Sequence, residues 1–208
     1  MSHDFRRARV GVAALLITAL AAGPAAASGG PLVDALKTRQ ARIDSILHAH
    51  PGKLDAATRG TLEVALAGAI DFGAMGRAAL QDWDARSPAE RADYSVAFEK
   101  LIRRSLMRRV NVYRIDGVDY GTEGIQGDHG RVDTVVRARE ATTEVAWEFV
   151  RTPKGWRVSD YSIDGVSTVR NYRRQFAKLL ETKGFKGLLE RINARAGEIE
   201  SELQKEGD

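Results

Sequence analysis

At about Ile115 the spacing of apolar residues changes from steps of three and four to steps of two, and it changes back after Asp164-Gly165. Helical periodicity on both sides of an alternating stretch leaves few ways to bury the apolar residues. The simplest is an α+β domain with helices laid over one face of an antiparallel sheet. In the alternating stretch Val132, Thr134, Val136 and Ala138 take turns with Asp133, Val135, Arg137 and Arg139. Val145, Trp147 and Phe149 do the same with Ala146, Glu148 and Val150. Gly127-Asp128-His129-Gly130 and Pro153-Lys154-Gly155 are turn signals between these runs. The spacing predicts a four-stranded antiparallel meander at roughly 115–124, 130–140, 142–151 and 156–163, apolar on one face and charged on the other.

Helices are expected before it. Leu32, Leu36, Ile43, Ile46 and Leu47 carry helical spacing over 31–49, and Pro51-Gly52 ends it. Asp55 is placed to cap a second helix running through Leu62, Val64 and Leu66 towards Ile70. A short third helix carries Phe72, Met75 and Leu80. Ser87-Pro88-Ala89-Glu90 combines an N-cap hydroxyl, a proline at the first helical position and a Glu three residues after the cap. The long helix that follows has one buried stripe: Tyr94, Ala97, Phe98, Leu101, Ile102, Leu106, Val110 and Tyr113.

After the sheet, the run 156–176 reads as a strand with Trp156 and Val158, a turn at Asp164-Gly165, and a helix entered at once with Val166, Val169, Tyr172 and Phe176 on one side. That helix should end near Gly184, a plausible left-handed terminator. A last helix follows with Phe185, Leu188, Leu189, Ile192 and Ile199, and its charged tail from about 198 is expected to fray.

The first 27 residues are expected to be a cleaved signal peptide. Arg6, Arg7 and Arg9 are basic, Val10 to Ala22 are apolar, and Ala25-Ala26-Ala27 precede a cut at Ser28. The apolar run is too short for a bilayer span. Arg6-Arg7 is a weak hint of twin-arginine export. Residues 28–208 then form a single domain. The leader takes three Arg and one Asp with it, so 32 basic and 28 acidic residues become 29 and 27. That balance gives little support to a nucleic-acid partner. With no cysteine in the chain, disulfides, thiol catalysis and thiolate metal sites are excluded.

Groups able to do chemistry are few. His48 and His50, two apart at a helix end, point to different sides, whereas a zinc pair on a helix is four apart. They read as solvated surface groups, as does His129 in a hairpin turn. No metal or other cofactor is expected. Asp160, between Ser159 and Tyr161 in the last strand, is the acid to inspect. Buried, it could serve as a general base; more commonly such an Asp accepts backbone N–H bonds of the adjoining turn. Arg103, Arg104, Arg108 and Arg109 read first as a solvated helix face, second as a contact for lipid headgroups or an acidic partner. Arg170, Arg173 and Arg174 lie opposite Val169, Tyr172 and Phe176 and make that helix amphipathic.

Three blocks together resemble the MlaC-type, or toluene-tolerance, family of periplasmic phospholipid-binding proteins. They are IDFGAMGRAALQDW at 70–83, SPAERADYSVAFEKLI at 87–102, and the joint with Gly165-Val166-Ser167, Tyr172-Arg173, Gln175-Phe176 and Lys183-Gly184. The likeness runs over roughly 32–195. Gln81, where many members have Gly, and the arginine-rich 103–109 segment depart from it.

The resemblance implies a strongly twisted sheet packed against helices around an apolar cavity. It implies a carrier of phospholipid between an inner-membrane ABC transporter complex and an outer-membrane lipoprotein complex, without catalysis. The acyl-chain slot would be lined by Phe98, Leu101, Ile102 and Leu106 from the long helix, and by Val136, Trp147 and Phe149 from the sheet. Tyr161, Val166, Tyr172 and Phe176 would complete it from the joint. A monomer is expected, since no exposed apolar stripe is evident. Two other readings are a carrier of a polycyclic or long-chain lipid such as a hopanoid, and a small isomerase or dehydratase of cone-shaped fold using Asp160 or Tyr161.

Overall fold

The capping box expected at Ser87 forms as written: Ser87 N–H donates to the Glu90 carboxylate at 2.9 Å and Glu90 N–H to the Ser87 hydroxyl at 3.2 Å. These bonds hold the Glu90 carboxyl below its usual range. The cap is therefore present above the ordinary glutamate pKa and is lost only as pH falls through the lowered one. The computed structural model describes residues 29–50, 55–112, 116–138 and 141–207. The expected leader, Pro51-Gly52, Tyr113, Ile115 and Arg139 lie outside these residues, as do the side chains of Arg109, Val110 and Ala138.

The elements are α1 (Pro31–Ala49), α2 (Ala56–Ala67), α3 (Phe72–Ala79), a 3₁₀ turn (Trp83–Ala85), α4 (Pro88–Val112), β1 (Gly117–Gln126), β2 (His129–Ala138), β3 (Ala141–Thr152), β4 (Gly155–Ile163), β5 (Val166–Ser167) and α5 (Thr168–Gly207). Asp55 caps α2 by accepting from Thr58 N–H at 2.7 Å, and Asp71 caps α3 by accepting from Ala74 N–H at 2.8 Å. Helix α2 stops at Gly68 and does not reach Ile70. Ile70 instead lies parallel to β4, where Val158 N–H donates to Ala69 O and Asp71 N–H to Val158 O, both at 2.9 Å. This link covers one part of an edge that would otherwise expose unpaired backbone groups.

The sheet is antiparallel throughout, in the order β1-β2-β3-β4-β5, so it has five strands and not the four expected. The cause is the Asp164-Gly165 turn. Both residues have positive φ, 47° and 78°, the geometry of a two-residue hairpin loop. The chain therefore folds back on β4, with Ile163 opposite Val166 and Ser162 opposite Ser167, before any helix begins. Val166 is consequently a strand residue, and α5 starts two residues later than the spacing predicts.

Helix α5 breaks at Gly184, as expected, but with φ 65° and ψ −175°, which is not the left-handed helical conformation. The tail expected to fray from about 198 continues as helix to Gly207. Its Ile199 and Leu203 are buried, and Arg59 donates to Leu203 O at 3.1 Å. The fraying expectation followed from charge alone. The apolar side chains at 199 and 203 lie on the one face that meets the rest of the molecule.

Helix α1 has no capping side chain of its own at Gly30. Glu123 of β1 supplies one from 91 residues away, accepting from Leu32 N–H at 2.9 Å and Val33 N–H at 3.1 Å. A carboxylate at a helix N-terminus is favourable both as acceptor and against the helix dipole. Glu123→Ala should therefore lower stability by about 1 kcal/mol in urea denaturation. No change would mean that α1 is held by its apolar contacts alone.

Two apolar clusters make the core. The larger unites α2, α3, α4 and α5 with Tyr161 of β4. The smaller packs Leu32 and Val33 of α1 on Val132, Phe149 and Val158 of the sheet. Trp147 and Ile70 touch both.

Candidate functional site

The inner face of the sheet follows from the register. Val132 stands opposite Trp147, Thr134 opposite Val145, and Val136 opposite Val118. On β4, Tyr161 stands opposite Trp147 and Ile163 opposite Val145. Alternation puts these residues on the helix side and Arg131, Asp133 and Arg137 on the exposed side, where they take part in surface ion pairs. The inner face also carries one polar relay. The Trp147 indole N–H donates to the Thr134 hydroxyl at 3.0 Å, and that hydroxyl donates to Val145 O at 2.9 Å. Thr134 is buried with its hydrogen-bonding capacity used, so this face offers little polar grip.

Above it, α4 and α5 meet through aromatic rings. Tyr94 and Phe98 stack at 5.6 Å, and Phe176 meets both edge-on at 6.1 and 6.2 Å. Tyr172 closes the group at 5.9 Å from Phe98 and 5.4 Å from Phe176. The Tyr94 hydroxyl donates to Gly76 O at 3.1 Å, and burial pushes its phenol pKa up.

The residues expected to line a slot divide into four groups. Phe98, Leu101, Ile102, Tyr161 and Phe176 are buried within the larger cluster, and Phe149 within the smaller one. Leu106, Trp147 and Tyr172 are half-buried at the margin of the larger cluster. Val136 is half-buried and, among the described residues, belongs to neither cluster; the same holds for its buried neighbour Val145. Val166 is 56% exposed on β5, the two-residue strand at the edge of the sheet, and does not join the interior. Thr134, Val145 and Ile163 share the inner face and lie outside the set expected for the slot. The two-residue period through Val132, Thr134 and Val136 was the signal that could have found the first.

Asp160 takes the structural role. Its carboxylate accepts from Tyr161 N–H at 2.7 Å, from Val169 N–H at 3.0 Å and from the Ser167 hydroxyl. Ser167 in turn accepts from Arg170 N–H at 3.0 Å. Together they cap α5 and tie it to β4. Asp160→Ala should cost about 2 kcal/mol of stability, since it removes a cap and strands part-buried donors. A thermal melt that did not move would show the cap to be redundant.

Of the α4 arginines, Arg103, Arg104 and Arg108 are not a free solvated face. Arg103 pairs with Glu99, Arg104 with Glu63 at 2.9 Å and with Glu200, and Arg108 with Glu202 at 3.2 Å. Arg104 and Arg108 hold α4 to α2 and to the end of α5, while the Arg103 pair stays within α4. A surface pocket of about 240 Å³ between these groups is lined by Glu63, Val96, Glu99, Lys100, Arg103 and Arg104. Its charge makes it a poor place for an apolar ligand. His48 and His50 are exposed, each with a ring nitrogen against a carbonyl of its own helix, at 2.7 and 3.0 Å. Among the described residues no cluster of His, Asp and Glu could hold a metal ion, and no helix is long and apolar enough to cross a membrane.

Fold and site together define an α+β domain, its sheet apolar towards the helices and Asp160 engaged in capping. The family model described as MlaC protein matches residues 37–194, and the chain belongs to that family. Among solved structures it is similar to the phospholipid-binding protein from Ralstonia solanacearum, determined in complex with a phospholipid. The two share 20% sequence identity with a TM-score of 0.66, over 80% of this chain and 97% of that one. At that identity the likeness carries the fold. A search of the curated proteins finds no match.

Proposed function

We propose that this protein is a soluble periplasmic carrier that binds the acyl chains of a phospholipid and shuttles the lipid between outer-membrane and inner-membrane complexes. The observation that carries the reading is the far end of the sheet's inner face. There Val136 and Val145 lie outside both packed clusters, with Leu106, Trp147 and Tyr172 half-buried at the margin of the larger one. Apolar side chains that face the helices and, among the described residues, fall outside both clusters suit an apolar guest. Membership of the MlaC family supports the same reading, as does a similar fold found with a phospholipid.

The energetics suit the task. At about 0.8 kcal/mol per methylene, two chains of roughly 16 carbons cost on the order of 25 kcal/mol to expose to water. A carrier must hide the tails, and non-directional apolar contact does so with little regard to the headgroup. The buried aromatic group of α4 and α5 then forms the rigid roof of the slot. Its lining runs from Leu106 and Tyr172 across to Trp147 and Val136.

Organic extraction of the purified protein followed by mass spectrometry tests this. A diacyl phospholipid at close to one per chain is the expected result. A hopanoid would redirect the reading to another lipid, and an extract with no lipid at all would overturn it.

A further inference from the structure

The two arginine-rich helices spend their charge differently. On α4 the cations Arg103, Arg104 and Arg108 are paired within the molecule. On α5, Arg170, Arg174 and Lys178 are exposed, and among the described residues none of them meets a carboxylate. Arg173 is exposed beside them and reaches the Ala78 carbonyl at 3.2 Å. At 3.6 residues per turn these four side chains fall within an arc of about 140°. Val169, Tyr172 and Phe176 occupy the opposite, inward side of the helix. Glu181 is the one acid in 170–181, which leaves that stretch at net +3. Directly before it stands Val166, 56% exposed on β5.

We propose that this face of α5 is a docking surface for an anionic lipid bilayer. Interfaces with a folded protein are built around a desolvated apolar or aromatic centre. This face has none: it presents long, flexible cations with the exposed Glu181 on the same arc. A headgroup layer needs no shape match. Its mobile charges can meet each cation separately, and each is worth about fivefold in binding. Such contact is weak and reversible, which suits a molecule that must leave again. The inference is independent of what fills the interior.

Vesicle sedimentation tests it. The purified protein is mixed at low salt with vesicles of phosphatidylcholine alone, or of phosphatidylcholine and phosphatidylglycerol in equal parts. It should pellet with the second and not the first, and be released as salt rises. The triple variant R170Q/R174Q/K178Q should partition about a hundredfold less. Lys154→Gln, at the other end of β4, should not differ from the parent. Glutamine at exposed helical sites keeps the fold, which circular dichroism verifies. Equal pelleting with both vesicles, or an unaltered triple variant, would overturn the proposal. So would a parent protein that ignores both vesicles, including one retained instead by an acidic protein. Because the readout is pelleting alone, failure here leaves the carrier reading standing.

Discussion

Replacing Phe98 with alanine is expected to lower the stability of the domain by about 4 kcal/mol, the upper range for a buried aromatic. Phe98 is fully buried and touches the rings of Tyr94, Tyr172 and Phe176, so the substitution opens a hole where three elements meet. The surroundings are already tight. A Cβ added at Gly76 of α3 would lie 3.1 Å from Phe98 Cδ1 and 3.5 Å from Tyr94 Cε1, so glycine there lets α3 approach α4. Collapse into the hole would have to move helices, which is why little of the cost should be recovered. Urea denaturation measures it. A loss under about 1.5 kcal/mol would mean that the aromatic group is loosely packed and has no claim to be a rigid roof.

Val136→Arg is expected to empty the protein of lipid while leaving it folded. Val136 is half-buried on the inner face and, among the described residues, outside both clusters, so a long cation can enter the proposed slot without breaking the packed core. A charge facing acyl chains must be desolvated or must drag water in, and either costs more than the methylenes it displaces can return. Extractable phospholipid should fall at least about tenfold, the equivalent of 1.4 kcal/mol. Trp147→Arg should act the same way at a higher cost in stability, because it also removes the donor to Thr134. Val166→Arg should leave lipid content unchanged, since Val166 lies exposed on β5. Normal cargo in Val136→Arg would place the slot elsewhere, and loss of cargo in Val166→Arg would bring it to the hairpin.

Much of the fold was legible because its signals are local. The Ser87 capping box, the Asp55 cap and the step from three-and-four to two each involve residues within about four positions of one another, and all three appear where expected. The Asp164-Gly165 pair is legible too, but local spacing marks it only as a turn between strand and helix. Two consecutive positive φ values make it a hairpin first, which adds β5 and moves Val166 from a helix stripe to the surface. Which groups Asp160 meets depends on backbone geometry: the hairpin returns Ser167 and Val169 to within reach of its carboxylate, which caps α5.

Element order, the apolar face of each element and most helix starts could be read from neighbouring residues alone, because capping and periodicity act over a turn or two. Which distant surfaces meet could not. Glu123 capping α1 across 91 residues, and Arg104 reaching Glu63 across 41, depend on how whole elements stack. So does the division of the interior into closed clusters and a margin of half-buried side chains. Periodicity marks a side chain as inward-facing, but only the packing of one element on another decides whether it meets its own protein or is left to meet a guest.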